Sequence, residues 1–514
     1  MIYQTKREDF ARFTSKENFE KIVELDNIGD FLNHIQKNFL DLDAIIKENG
    51  EVAKYSELLV DIRKAMNLLK LKGVQPGKNV GILFTNSYSF VVSALAVMAH
   101  GSIAVLLPVH LDEKIVFGCS KKYVLSALIY GDGLVDKVKL INPAECLLMS
   151  SSDIYASEPL ELKEFAPLKK ELPAAVIMTG GTSGRSKGAL LTHENLLAGT
   201  VNGCYGIKEF MHLRYYCLLP LTHVFGFIRN VMTCLFTGSV IMFNQDKRLM
   251  FNEMQAFKPT IFVIVPALAE LFLNLSRAYG KAMLGGEFHT IICGAAFVPP
   301  YLIKEWDKLG VTLFPGYGLT ESANLVSGNP MPLEYPQSVG MLFPHQQAKV
   351  VNGELLLKGN NIMIQYFNEP EENPLAFDEE GWFKTGDLVR FDEHQNLYII
   401  GRSKDVIVLN NGENVSPAYI EGKIDELPFI QDCLVTEGQS EHGAQILQVE
   451  VLLRPAVANQ LGLQGAELQK YVEAEIEKVN QTLLDFERVS KVIIRDKDFD
   501  RTPAMKIIRP KKVF

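Results

Sequence analysis

From Phe90 to Val109 the chain is almost wholly apolar, and a run of that length must either cross a bilayer or be buried on every side. His100, Gly101 and Pro108 interrupt it, and the strand-like run Asn79–Phe84 precedes it. A buried helix (Ser89–Ala99) feeding a buried strand (Ile103–Leu107) therefore accounts for it better than a membrane span. Short apolar runs such as NVGILF, SIAVLL and SALIY then alternate with helical stretches as far as about residue 170. That alternation predicts an α/β fold with mostly parallel sheets covered on both faces. Before it, residues 1–75 read as charged amphipathic helices, Ser56–Lys72 carrying apolar residues at helical spacing. With 514 residues the chain is too long for one core.

The most chemically loaded stretch is Met178–Gly188, MTGGTSGRSKG, between an apolar strand and a helix capped near Thr192. Gly180, Gly181 and Gly184 let backbone N–H groups turn toward an anion, Thr179, Thr182 and Ser183 add hydroxyls, and Lys187 adds charge. Those are the parts of a phosphate cradle. It is not a Walker loop, in which glycine precedes the lysine and Ser or Thr follows it. Here Ser186 precedes Lys187 and Gly188 follows.

Further along, Tyr215–Phe227 places His223 among Phe225, Phe227 and other apolar residues, a pocket wall more than a general base. Pro259–Pro266, Thr290–Ala296 and Val311–Gly318 are strand candidates, and ligands of a doubly wound sheet collect at such strand ends. Gly294, Ala295 and Ala296 would let a flat ring approach the backbone. Gly316–Ser322, GYGLTES, offers an aromatic face (Tyr317), two glycines (Gly316, Gly318), a hydroxyl (Thr320) and a carboxylate (Glu321) suited to a hard cation. Asp387 ends the turn-like TGD, and GRSKD at 401–405 separates about 400 residues from a tail of small-domain size. In that tail Asp432–Glu437, Ile446–Leu453 and Ser490–Arg495 read as strands and Glu467–Gln481 as a helix.

In their order these motifs resemble the AMP-forming acyl-adenylate family, which includes acyl-CoA synthetases, luciferases and peptide-synthetase adenylation domains. Pro503 and Lys506 keep the spacing of the family's catalytic-lysine segment, and Met505 in place of its glycine resembles the long-chain acyl-CoA synthetase branch. The resemblance implies a large N-terminal α/β domain of several subdomains (1–401), a hinge at 402–405 with Lys404 as its pivot, and a small mobile α+β domain (406–514). It implies ATP held by Thr179–Gly184, Lys187, Gly294–Ala296, Gly316–Gly318, Asp387 and Arg402, with Mg²⁺ on Glu321 and Lys506, Thr320 and Glu321 at the reaction centre. His223, Phe225 and Val326 would line the acyl pocket, and Gly412, Glu413 and Asn414 would meet the thiol of coenzyme A or of a separate carrier protein. The apolar lining points to an aliphatic acid, with no obvious cation to pair with a dicarboxylate. A member that binds without turnover is the alternative from another class. A net charge of −9 argues against a nucleic-acid partner, and the N-terminus has no apolar leader. Seven scattered cysteines with no metal spacing fit reduced, buried thiols, and together these point to the cytoplasm.

Overall fold

The computed structural model describes residues 1–179, 187–244, 246, 248–410, 413–440, 444–454, 462–501 and 507–509. The apolar run folds as expected, into helix Tyr88–Ala99 and strand Ile103–Leu107. The Ser87 hydroxyl caps the helix by accepting the Phe90 N–H at 3.1 Å. Every residue of the pair except Ser89 is buried, each large side chain contributing about 1.5–3 kcal/mol. No helix among the described residues is long and apolar enough to cross a membrane.

Two large sheets follow from the same logic. In a seven-stranded sheet the interior strand Asn79–Leu83 lies between Ile103–Leu107 and Leu125–Tyr130, all parallel. On one side the sheet continues through Pro173–Met178 to the antiparallel strands Gly188–Thr192 and Gln365–Tyr366. A nine-stranded sheet has a parallel centre that includes Thr312–Tyr317, Thr290–Cys293, Ile261–Ile264 and Arg214–Cys217. Its far edge is Asp43–Ile46 and Val52–Lys54, so the opening residues, read as helical, also supply two strands.

The third sheet was not anticipated. It is antiparallel and five-stranded, in the order Ile2–Tyr3, Gln346–Val351, Glu354–Gly359, Phe383–Phe391 and Leu397–Arg402. All seven cysteines are unpaired, and all but Cys119 are buried.

The C-terminal unit has its own apolar cluster, centred on Ile420, Val435, Val449, Val451 and Val472. Strands Ile430–Gln439, Gln445–Leu453 and Val489–Arg495 form its sheet, and helix Gly465–Asn480 packs beside the third of them. Arg454 ties it to the large domain through Glu270 and through the Tyr301 hydroxyl, 2.8 Å away.

Asp425 in this unit accepts the Cys433 thiol at 3.3 Å. Burial first, with the carboxylates of Glu421 and Asp432 adding to it, pushes the Asp425 carboxyl up to about 8. An unfolded aspartate ionises near pH 4, so between roughly pH 4 and 8 the folded state holds a proton that the unfolded state has lost. Stability from this group is therefore complete at acid pH and declines as pH rises. Asp425→Asn is expected to stabilise the C-terminal unit at pH 8 and to change nothing at pH 4, as read by denaturant titration at both.

Candidate active site

Parallel strands Thr290–Cys293 and Thr312–Tyr317 end side by side, Cys293 opposite Pro315. Gly294, Ala295 and Ala296 leave the first; Ala295 has φ 67°, and Ala296 is exposed. A left-handed alanine costs about 1–2 kcal/mol, and such strain is characteristic of functional loops. Gly316 and Tyr317 end the second strand. The chain then winds through Thr320–Ser322 and leaves by two further left-handed residues, Ala323 at φ 47° and Asn324 at φ 90°. This doubling back brings the Asn324 carbonyl so close to Gly318 that a Cβ there would lie 1.3 Å from its oxygen. Thr320 is buried and Glu321 half-buried.

Asp387 is 2% exposed and faces Arg402 across an antiparallel pair. The guanidinium Nε lies 2.8 Å from one carboxylate oxygen, and the Tyr317 hydroxyl donates to the other at 2.5 Å. Burial and the neighbouring carboxylate lift the Tyr317 phenol well above its ordinary range, so it stays a donor. Asp387, Arg402 and Tyr317 thus meet at one point. Asp387→Asn would leave the guanidinium beside a neutral amide, and a charge-assisted bond is worth about 1.5–3 kcal/mol. The expected result is a destabilisation of that order, read by denaturant titration.

The second cluster surrounds Lys187. The Thr179 N–H donates to the Lys187 carbonyl at 2.7 Å, closing the neck of the loop. Gly180, Gly181, Thr182, Ser183 and Gly184 lie outside the described residues. The Lys187 ammonium sits 2.6 Å from Glu372 and 4.6 Å from the centre of the Tyr366 ring. The Tyr366 hydroxyl donates to Glu321 at 2.7 Å. One ring thereby joins the lysine of the loop to the carboxylate of GYGLTES. The structure also explains why Gly188 follows the lysine. A Cβ there would meet Val176 at 2.6 Å and Tyr123 at 2.8 Å, so the Ser or Thr of a Walker loop has no room.

His223 accepts the Phe225 N–H on Nδ1 at 3.3 Å, opening the π-helix Phe225–Met232. The Phe225 ring packs toward Gly294, 3.8 Å from where its Cβ would stand. Val326 does not join them. Its side chain belongs to a separate cluster with Leu342, Leu355 and Leu397, while Leu325 faces the cluster that holds Phe225.

Lys404 lies in the short turn Ser403–Asp405, where burial and the nearby Arg402 charge lower its pKa, with Lys187 adding to the effect. Hairpin Ile407–Val408 with Asn414–Val415 carries exposed Glu413 and the backbone of Asn414; Gly412 lies outside the described residues. Lys506 also lies outside them, but its flanks do not. Arg501 bridges to Ile507, and the Ile508 N–H donates to Asp500 at 2.8 Å. Arg501 is held by Asp432 at 2.7 Å, and Arg509 by Glu421 at 2.5 Å, with Asp405 3.7 Å away.

Among the described residues no three His, Cys, Asp or Glu side chains cluster as a metal cage. A single carboxylate such as Glu321 fits Mg²⁺, which keeps its waters and is otherwise bound through substrate phosphates. Tyr366 and Glu372 were missed in the sequence.

The chain matches the AMP-binding enzyme family model over residues 32–367, and that of the AMP-binding enzyme C-terminal domain over residues 404–513. It is 26% identical to 4-coumarate–CoA ligase-like 6 of Arabidopsis thaliana, over 94% of this chain and 89% of the relative. It is 27% identical to the medium-chain fatty-acid–CoA ligase of Escherichia coli strain K12, over 84% and 81%. The solved structure of ATP-bound MatB from Rhodopseudomonas palustris superposes with a TM-score of 0.80 at 23% identity, covering 94% and 97% of the two chains.

Proposed function

The chain belongs to the AMP-binding enzyme family, and from that membership we propose that it is an AMP-forming ligase joining a carboxylic acid to the thiol of coenzyme A. The convergence of Tyr317, Asp387 and Arg402 at the strand ends beside Gly294 carries this reading. It offers a ring face for a base, a carboxylate for two ribose hydroxyls and a cation to hold that carboxylate in place. The Lys187–Tyr366–Glu321 cluster supplies opposite charges where a triphosphate would lie.

In the first half-reaction a carboxylate oxygen of the acid bonds to the α-phosphorus of ATP as the bond to pyrophosphate breaks, giving acyl-AMP. Lys187 and the glycine loop hold the departing phosphates, and Lys506 neutralises charge on the in-line transition state. Mg²⁺, held by Glu321, would add charge neutralisation at the phosphates. In the second half the thiol sulfur replaces AMP at the acyl carbon. The 402–405 segment is the hinge that withdraws Lys506 and brings Glu413 and Asn414 toward the thiol. His223 and Phe225 form the wall against which an aliphatic acyl chain rests.

The test is pyrophosphate release from Mg-ATP with a panel of carboxylic acids, with and without coenzyme A. Steady turnover that depends on coenzyme A is the expected result. One stoichiometric burst indifferent to coenzyme A would move the acceptor thiol to a separate carrier protein. ATP binding without pyrophosphate from any acid would remove the enzyme reading.

A further inference from the structure

Arg229 lies in the π-helix that begins at Phe225, and it is 1% exposed. One hydrogen bond is made by its side chain: Nη1 donates to the Tyr215 hydroxyl at a long 3.4 Å. Its Nη2 has no hydrogen-bond partner, and no carboxylate among the described residues pairs with it. The groups whose ionisation it biases are Cys204, Tyr215 and Cys234, none of which is anionic at neutral pH. Asn230, 0% exposed, follows it with neither amide atom hydrogen-bonded. More than nine in ten buried polar groups find partners, and a buried, uncompensated charge is among the costlier features a core can hold. An apolar residue of the same length would be cheaper if packing were its only purpose.

Position supplies the purpose. Phe225 and Arg229 are four residues apart, close to one turn of an i→i+5 helix, so they share a face. Phe225 meets Gly294 at the strand end where the acyl-adenylate would form. Arg229 therefore lies about 5 Å further along that face, at the end remote from the reacting carboxylate. π-Helices occur at functional sites because the wider turn re-aims side chains. An acid entering along Phe225 would bring its far end to Nη2.

Resting on the ligase reading, we propose that Arg229 reads a second carboxylate at the distal end of the acid, so that the substrates are dicarboxylates with an apolar body. The planar guanidinium matches a carboxylate in two parallel hydrogen bonds. The apolar walls select the middle of the molecule, and Arg229 supplies the cation that the motifs alone did not reveal.

Straight-chain α,ω-dicarboxylates and the monocarboxylates of equal length, from four to twelve carbons, are compared by kcat/KM for pyrophosphate release. The wild-type protein is expected to favour the best dicarboxylate over its monocarboxylate partner by about 10²-fold or more, since sites built to bond a polar group reject analogues that lack it. Arg229→Met should reverse the preference, lowering dicarboxylate turnover and raising that of the monocarboxylates. Arg229→Lys, which keeps the charge but loses the fork, should fall between. A wild-type preference for monocarboxylates at every length overturns the proposal without any variant. So does a dicarboxylate preference that Arg229→Met leaves unchanged. Pyrophosphate from no acid in either series, with turnover of some other acid in the wider panel, also overturns the proposal; none from any acid of that panel would instead overturn the ligase reading on which this one rests.

Discussion

Gly318→Ala is expected to cut pyrophosphate release by about 10²-fold or more, because a displacement of the order of 1 Å at a reaction centre costs that much. The added Cβ would start 1.3 Å from the Asn324 carbonyl oxygen and must retreat to at least 3.0 Å. Asn324 cannot yield easily, because its N–H donates to the Leu319 carbonyl at 3.1 Å and its φ is already 90°. The turn carrying Thr320 and Glu321 has to move instead, taking Glu321 away from Tyr366. Gly118→Ala, in helix Glu113–Lys122, is the control, since nothing lies within 4 Å of its Cβ, and activity should stay within about tenfold of wild type. Activity in Gly318→Ala close to that of the control would show that this turn does not set the geometry of the site.

Lys506→Ala is expected to slow acyl-adenylate formation by about 10²–10³-fold, the usual cost of losing one oriented charge-stabilising donor. Thioester formation from synthetic acyl-AMP and coenzyme A should be spared, since the proposed hinge motion removes the lysine before that step. Equal losses in both half-reactions would mean that Lys506 supports the fold rather than the transition state. The flanking anchors make a folding loss improvable by comparison with Arg501→Ala, which removes the contact to Asp432 and should lower stability as well as rate.

Periodic elements were legible because their signal is local. Helix Tyr88–Ala99, strand Ile103–Leu107 and the Thr192 cap follow from residues within one or two turns of each other. The residues that meet at Asp387 were legible as well, since GYGLTES, TGD and GRSKD carry Tyr317, Asp387 and Arg402 in short words. What stayed hidden depends on contacts between distant residues. The Tyr366 bond to Glu321 spans 45 positions, and Tyr366 stands in an apolar and polar mixture that favours no single role. That Val326 and Phe225 fall in different apolar clusters was hidden too, because Val326, one residue from Leu325, packs in the other cluster. Arg229 was passed over because a single charge in an apolar run reads as a helix face until its burial is known. The antiparallel sheet was missed because its edge strand, Ile2–Tyr3, is too short to show a period and its partner lies hundreds of residues away.

That last pairing bears on how the molecule is made. Tyr3 lies opposite Ala348, 345 positions later, and its ring stacks on Phe391 with centroids 3.8 Å apart. At ribosomal rates of about 5–20 residues per second, Ile2 and Tyr3 wait roughly 17–70 seconds for the strand they join. The seven-stranded sheet, whose parallel strands are complete by Met178, meanwhile keeps one border open until Gln365–Tyr366 arrives. During synthesis, then, the two unfinished sheet borders are the places where a chaperone or a neighbouring nascent chain would find the molecule adhesive.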